Sequence, residues 1–354
     1  MAVTVALDGM GGDDAPAEMV AGAKAAAAEG VRVLITGVRE QLEPELSGAE
    51  GVEIVDAPDV IGSSDEPAAA VRAKPDSSMV AACRLVRDGS AEAAVSAGPT
   101  GAMLAASLLH IGRIRGISRP GIAAPLPAGG QPCVLIDAGA TVDARAEHLL
   151  HWGLMGSVFM RDVMEVERPS VGLLSVGEEP SKGNALTLEA HQLLAAADLH
   201  FTGNCEGRDA LRGDFRVIVA DGFSGNVMLK SMEGAGSVLF AEMREAAMSS
   251  LRAKLGALLL RPALRGVRDH YDPERIGGAY LLGVRGLSVI AHGSSSRRAI
   301  VNAIQLAARG IEEDVVERME RGIAAAAAAP DLQDRSPVRT VPAVVDPENG
   351  ERLT

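Results

Sequence analysis

Short apolar runs alternate along the chain with longer alanine-rich stretches. The runs Val3–Leu7, Val31–Thr36, Gly51–Val55, Ala93–Ser96, Cys133–Ile136, Val171–Ser175, Val217–Ala220 and Leu287–Ile290 predict strands. Between most of them, Glu18–Ala28, Ser78–Asp88, Met103–Gly112 and Ala144–Met164 predict helices. This alternation specifies βαβ units around a mostly parallel sheet. Several runs are apolar at every position, as strands are when helices cover both faces. The expectation is an α/β protein, a three-layer α/β/α arrangement on a Rossmann-like sheet, with one domain spanning residues 1–323.

Two segments depart from that rhythm. From Ser237 to Asp269 there are few breakers before Pro262, and Leu251, Leu255 and Leu258 fall on one helical stripe. Arg252, Lys254, Arg261, Arg265 and Arg268 concentrate positive charge there. The run containing Leu258 and Leu259 is far too short to span a bilayer. A basic amphipathic helix with exposed leucines suits a membrane surface; a dimer helix with a solvated basic face is the alternative. The excursion is taken as 237–272. Beyond the six alanines 324–329 and Pro330, residues 331–354 have no helical period and too little apolar content to pack, so they read as a disordered tail.

Composition narrows the function. Aromatic residues are 2% of the 354, which disfavours a base-stacking nucleic-acid module, and the net charge of −13 disfavours wrapping a polyanion. Any anion site is therefore local. Cys83, Cys133 and Cys205 are scattered without metal-ligand spacing and read as reduced, buried thiols. The first residues lack a basic segment and a cleavage site, which points to a cytoplasmic protein.

The strand ends carry the unusual residues: Asp8 with Gly9, Ser96 with Gly98, Asp137 with Gly139, Ser175 with Gly177, Asp221 with Gly222. In open parallel sheets ligands bind beyond the carboxyl ends of strands, so these five exits predict one shared site at that edge. Helix capping would call for the same residue types at each turn taken singly.

Nucleotide-binding P-loop, nucleophile-elbow and zinc-protease motifs are absent, and "GMGGDD" is not a dinucleotide fingerprint. His148 and His151 beside Glu147 lack a third ligand and read as structural, so no metal or other cofactor is expected. What remains is a set of polar turns. "SAGPTGA" places Ser96, Gly98, Thr100 and Gly101 at a helix start, and "KPDSSMV" places Ser77 and Ser78 at another, near Lys74. "HGSSSRRAI" offers His292, Ser294, Ser295 and Arg297 to a compact anion. "SVGEEPSKGNALT" sets Lys182 between strand and helix. "DGFSGNVMLKSMEG" gathers Asp221, Ser224, Gly225, Asn226 and Lys230 in what reads as a glycine turn.

These stretches, with "DGMGGDDAP", "DAGATVD" and "FTGNCEGRD", occur in the order seen in the bacterial phosphate acyltransferase (PlsX) family, which the chain resembles from about residue 3 to about 320. The resemblance implies transfer of a long-chain fatty acyl group from acyl carrier protein to inorganic phosphate, giving acyl-phosphate for phospholipid synthesis. It also implies a fold related to phosphotransacetylases and isopropylmalate dehydrogenases. A homodimer, a peripheral position on the inner membrane face and a membrane glycerol-3-phosphate acyltransferase as the next enzyme are further implications.

Phosphate is itself the nucleophile in such a reaction, so no serine or cysteine nucleophile is required. Catalysis reduces to holding a dianion beside a thioester and stabilising the developing oxyanion. Lys182 and Asn226 are the candidates for that work, Asp221 for orienting one of them, and the turns holding Ser77, Ser78, Ser96–Gly101, Asp137, Gly225 and His292–Ser295 for completing the cradle. The aspartates of the first turn make it a poor phosphate site. Gly11 and Gly12 bring its backbone close, and Asp8 and Asp13 are candidates for orienting donors or holding the pantetheine side. Arg252, Lys254, Leu258, Leu259, Arg261 and Arg265 are the expected carrier or membrane contact. Gly9 replaces an alanine common in the family, and Pro99 and Thr141 stand where asparagines are common. The rival readings are a short-chain, coenzyme A-dependent phosphotransacetylase and a non-catalytic membrane scaffold.

Overall fold

Eleven strands join in one sheet in the computed structural model, which describes residues 3–328. They are β1 (Thr4–Asp8), β2 (Arg32–Gly37), β3 (Val52–Asp56), β4 (Ala93–Ser96), β5 (Gly121–Ala128), β6 (Gln131–Ile136), β7 (Val171–Leu174), β8 (Phe201–Cys205), β9 (Val217–Val219), β10 (Ala279–Leu282) and β11 (Leu287–Ile290). Their order across the sheet is β3-β2-β1-β4-β11-β10-β5-β6-β9-β7-β8. The helices are α1 (Ala17–Ala28), α2 (Arg39–Leu46), α3 (Pro67–Ala73), α4 (Ser78–Arg87), α5 (Thr100–Ala106), α6 (Ala146–Val158), α7 (Ala185–Ala195), α8 (Gly222–Met248), α9 (Leu251–His270), α10 (Arg297–Glu312) and α11 (Val315–Ala328). The expected tail, 331–354, lies outside the described residues.

Alternate residues of the strands feed two separate cores. Val5 and Leu7, Val33 and Ile35, Val134 and Ile136, and Val217 and Val219 face one layer, with Met19 of α1, Trp152 of α6 and Ile300 of α10. Ala6, Leu34, Leu135 and Ile218 face the other, with Met79 and Cys83 of α4 and Met103 of α5. Both faces are covered, which is why the strands are apolar throughout and the architecture is three-layered.

Three reversals divide the sheet. Pairing is antiparallel only where β5 or β10 takes part: β11–β10, β10–β5 and β5–β6. The five strands from β3 to β11 therefore run one way, and β6, β9, β7 and β8 run the other. This corrects the expectation of a single shared edge. The exits of β1 and β4 lie at one edge; those of β6, β7 and β9, with Asp137, Ser175 and Asp221, lie at the opposite one.

β5 itself was not expected, because "GIAAPLPA" carries two prolines. β10 pairs with it only at Gly121–Ala123. From Ala124 onward β5 has no neighbour on that flank, so Pro125 and Pro127 withdraw no ladder donor there. β8 and β10 also escape the pattern, one for its polar residues and the other because Ala279–Leu282 holds no β-branched residue.

A second correction concerns 221–234, which forms the first half of α8 and not a glycine turn. The Asp221 Oδ1 accepts from the amides of Phe223 at 3.0 Å and Ser224 at 2.9 Å, capping the helix. Its first two glycines serve close approach. A Cβ on Gly222 would stand 2.6 Å from the Thr141 carbonyl, and one on Gly225 would collide with the Asp137 carbonyl. The helical excursion thus begins at 222, earlier than Ser237, and breaks at Ser249–Ser250, while Pro262 lies within α9. Gly225→Ala should destabilise the fold by about 1–3 kcal/mol through overpacking. A denaturant-midpoint titration showing an unchanged midpoint would contradict this packing.

Candidate active site

At the exit of β1 the buried Asp8 ties two strands together. Its Oδ2 accepts from Ser96 Oγ at 2.7 Å, its Oδ1 from the Met10 amide at 3.2 Å, and Ser96 Oγ in turn accepts from the Gly98 amide at 3.0 Å. Burial pushes the Asp8 carboxyl above the usual carboxylate range, although hydrogen bonds from Ser78, Ser96 and the Met10 and Gly11 backbone pull the other way. Asp137 does the matching work at the exit of β6. Its Oδ1 accepts from the amides of Ile122, Gly139 and Ala140 at 3.0, 3.1 and 2.9 Å, and its Oδ2 from Thr141 at 2.7 Å. Its pKa is likewise raised by burial.

These two anchored exits border a cleft of about 1230 Å³ that crosses the open flank of β5. Ile122, Ala124 and Leu126 contribute to its apolar part, with Leu229, Met232 and Phe240 of α8. Its polar part gathers Gly11–Asp13, Gly98–Thr100, His292–Ser295, Asn226 and Lys230. A large apolar trough with a few polar groups converging beside it is the usual form of a small-molecule site.

Of the expected residues, Gly11, Gly12, Asp13, Gly98, Thr100, Asn226, His292, Ser294 and Ser295 line this cleft. Asp8, Ser77, Ser78, Ser96 and Asp137 are buried behind it and do not. Gly101 and Gly225 lie in the walls, packed against Pro67 and the Asp137 carbonyl. Lys182 is exposed on the loop after β7, outside the cleft lining, so Lys182 and Asn226 do not share one cluster. Asp221 caps α8 instead of orienting Lys182 or Asn226. Arg297, expected as an anion ligand, is turned away: its amide donates to the Glu18 carboxylate, which occupies the N-terminus of α10. His151 Nδ1 lies 2.8 Å from Ser118 Oγ, and His148 Nδ1 accepts from the Arg145 amide at 3.2 Å.

Sequence reasoning missed Glu233, which pairs with Lys230 at 2.8 Å; the i,i+3 spacing was the available signal once a helix is assumed. Lys230 also bonds His292 Nε2 across the cleft. On the α8–α9 excursion, Leu258 and Leu259 are 61% and 78% exposed, and Arg252, Lys254, Arg261 and Arg265 are exposed or partly so.

Comparison with known proteins points the same way. The model of a family described as "Fatty acid synthesis protein" matches residues 3–318. A phosphate acyltransferase of Pelotomaculum thermopropionicum is 48% identical over 323 residues, covering 90% of this chain and 94% of its own length. A phosphate acyltransferase of Geobacillus thermodenitrificans is 45% identical over 317 residues, covering 89% and 97%. Among solved structures, a phosphotransacetylase from Streptococcus pyogenes superposes with a TM-score of 0.58 at 18% identity, covering 88% of this chain and 94% of that one. A 4-hydroxythreonine-4-phosphate dehydrogenase from Klebsiella pneumoniae gives 0.51 at 15%, covering 87% and 98%. At such identity the two structures speak to the fold alone.

The buried carboxyl of Asp8 has a consequence for stability. A carboxyl whose folded pKa lies above its unfolded value contributes stability below about pH 3.9 and loses it as pH rises through the folded value. Asp8→Asn, neutral at every pH, should therefore show a smaller fall in urea midpoint between about pH 4 and pH 7 than the parent protein. Identical pH profiles would show that the Asp8 carboxyl is not raised.

Proposed function

The chain belongs to the phosphate acyltransferase family, and from that premise we propose that it draws a long-chain acyl group from the thioester of an acyl carrier protein and delivers it to inorganic phosphate in the cleft over β5. Acyl transfer to phosphate, in the service of phospholipid synthesis, is the family activity. The carrier and the location of the chemistry are our reading.

The observation that carries it is the cleft itself. Its volume of about 1230 Å³ exceeds the roughly 300–1,000 Å³ of a pocket for a drug-sized ligand. A long acyl chain lies along Ile122, Ala124, Leu126 and Phe240, which places its thioester among the polar turns. Phosphate attacks the carbonyl there, and the donors needed are those that hold a dianion and the tetrahedral oxyanion. Asn226 supplies an amide beside Gly139, and the loop His292–Ser295 supplies hydroxyls; the Ser295 Oγ is buried with no partner among the described residues. Lys182, exposed on the loop after β7 and outside the cleft lining, is the second residue proposed to meet phosphate. Asp8 and Asp137 shape the backbone that presents these groups.

No helix of the described residues is long and apolar enough to cross a membrane. The exposed leucines and basic residues of α9 give an acidic carrier, or an anionic membrane surface, a place to dock. The same hairpin supplies the contact of a homodimer, and acyl-phosphate leaves from there toward a membrane glycerol-3-phosphate acyltransferase on the inner face.

Purified protein should release free carrier from palmitoyl-acyl carrier protein only when phosphate is present; faster turnover of acetyl-coenzyme A would instead mark a short-chain enzyme. Lys182→Ala and Asn226→Ala should each lower acyl-phosphate formation about 10²-fold or more without shifting the melting temperature. Near-normal turnover in either would remove that residue from the mechanism. Reversing Arg261 and Arg265 to Glu should weaken carrier or anionic-vesicle binding at low salt, and unchanged binding would place the docking surface elsewhere.

A further inference from the structure

Lys230 belongs to α8 and His292 to the loop after β11, so their contact bridges the two walls of the cleft. The Lys230 ammonium lies 2.8 Å from Glu233 Oε2 and contacts His292 Nε2. His292 Nδ1 is 2.8 Å from Ser294 Oγ. With Lys230 as the ammonium partner of Glu233, Nε2 keeps the lone pair that accepts from it, and Nδ1–H donates to Ser294 Oγ. The Ser294 amide lies 3.2 Å from the same nitrogen and is its donor in the opposite tautomer. An imidazole accepting from an ammonium is neutral. The cluster of Lys230, Glu233 and His292 therefore carries no net charge.

Charge neutrality makes this cluster a poor counter-ion for a phosphate dianion. The other Lys or Arg lining the cleft, Arg298, is likewise paired, with Asp272 at 2.9 Å. A neutral cluster whose ammonium lines the cleft is suited to moving a proton instead. Acyl transfer in this cleft requires one such movement, and the role of Lys230 rests on that reading of the cleft. When hydrogen phosphate attacks a thioester, a C–O bond forms and the C–S bond breaks with its electron pair on sulfur. The proton left on phosphate oxygen must finish on that sulfur.

We propose that Lys230 carries this proton. Its ammonium gives an N–H proton to the departing sulfur as the C–S bond breaks. The resulting amine, a far stronger base than the phosphoryl oxygens of an acyl-phosphate, takes up the proton that phosphate releases. Atoms and charge balance: thioester and hydrogen phosphate become acyl-phosphate and free thiol, and Lys230 is restored. His292 and Glu233 are positioning residues that aim the nitrogen, and the couple is complete only when α8 and the His292 loop are both in place.

Leaving-group dependence tests this. With palmitoyl-pantetheine as donor, Lys230→Met should lose about 10²–10³-fold in thiol release, the range expected for a lost general acid. With a palmitoyl thioester of an aryl thiol, whose thiolate departs without protonation, the same variant should come within about tenfold of the parent enzyme. Equal losses on the two donors would overturn the proposal. Lys230→Arg keeps the charge and the hydrogen bonds but cannot release a proton. It should share the donor-dependent defect, and full activity of this variant on palmitoyl-pantetheine would also overturn the proposal. His292→Ala should show a milder loss with the same donor dependence, rescued in His292→Gln, which restores an acceptor; a loss equal on both donors would deny His292 the positioning role. Parent enzyme that releases thiol without phosphate would instead defeat the acyl-transfer reading itself.

Discussion

The unequal length of two adjacent antiparallel strands governs this molecule. β10 has four residues and β5 has eight, so more than half of β5 runs on with an open flank. A sheet tolerates such a gap only where something other than a ladder partner faces the backbone. Prolines at 125 and 127 reduce the number of unmet donors, and the space beside them is the cleft. The reversals that create the gap also bring opposite ends of the two parallel blocks to the same opening. Exits from one block and the helix after the last strand of the other line a single trough, although they belong to opposite edges of the sheet.

Two buried carboxyl groups hold that opening in shape. Asp8 fastens the exits of β1 and β4, and Asp137 gathers four backbone amides into the loop against which the glycines of α8 rest. Each is desolvated, and each offsets that cost with several donors aimed at it. Their burial removes them from direct contact with substrate and makes the surrounding backbone rigid. The side chains that line the cleft instead include Asn226, Lys230, His292 and the adjacent serines.

Periodicity alone made much of the fold legible. The boundaries of Ala93–Ser96 and Leu287–Ile290 agree with the observed strands to the residue, because buried parallel strands leave uninterrupted apolar runs. The same signal was blind to β5, where prolines imitate a loop, and to the first half of α8, where glycines demanded by close packing imitate a turn. Strand direction was beyond a local pattern: the exits of β4 and β6 look alike in sequence, and only the intervening antiparallel pairings separate their edges. For the cleft, Asn226 and His292 were legible because each sits just after a strand. Glu233 was hidden because its meaning depends on a helix that the glycines concealed.

α8 joins chemistry to surface in a single rigid rod. Gly225 is its point of closest contact with the body, Lys230 lies five residues beyond, and Met248 ends the helix 23 residues beyond, with Val238, Leu239 and Met248 well exposed along the far half. At 1.5 Å per residue those distances are about 7.5 Å and about 35 Å from the fulcrum. A rigid helix pivoting there would be a lever of the reducing kind: a shift of about 5 Å at the distal tip would arrive at Lys230 as roughly 1 Å. The length of the helix alone sets that ratio.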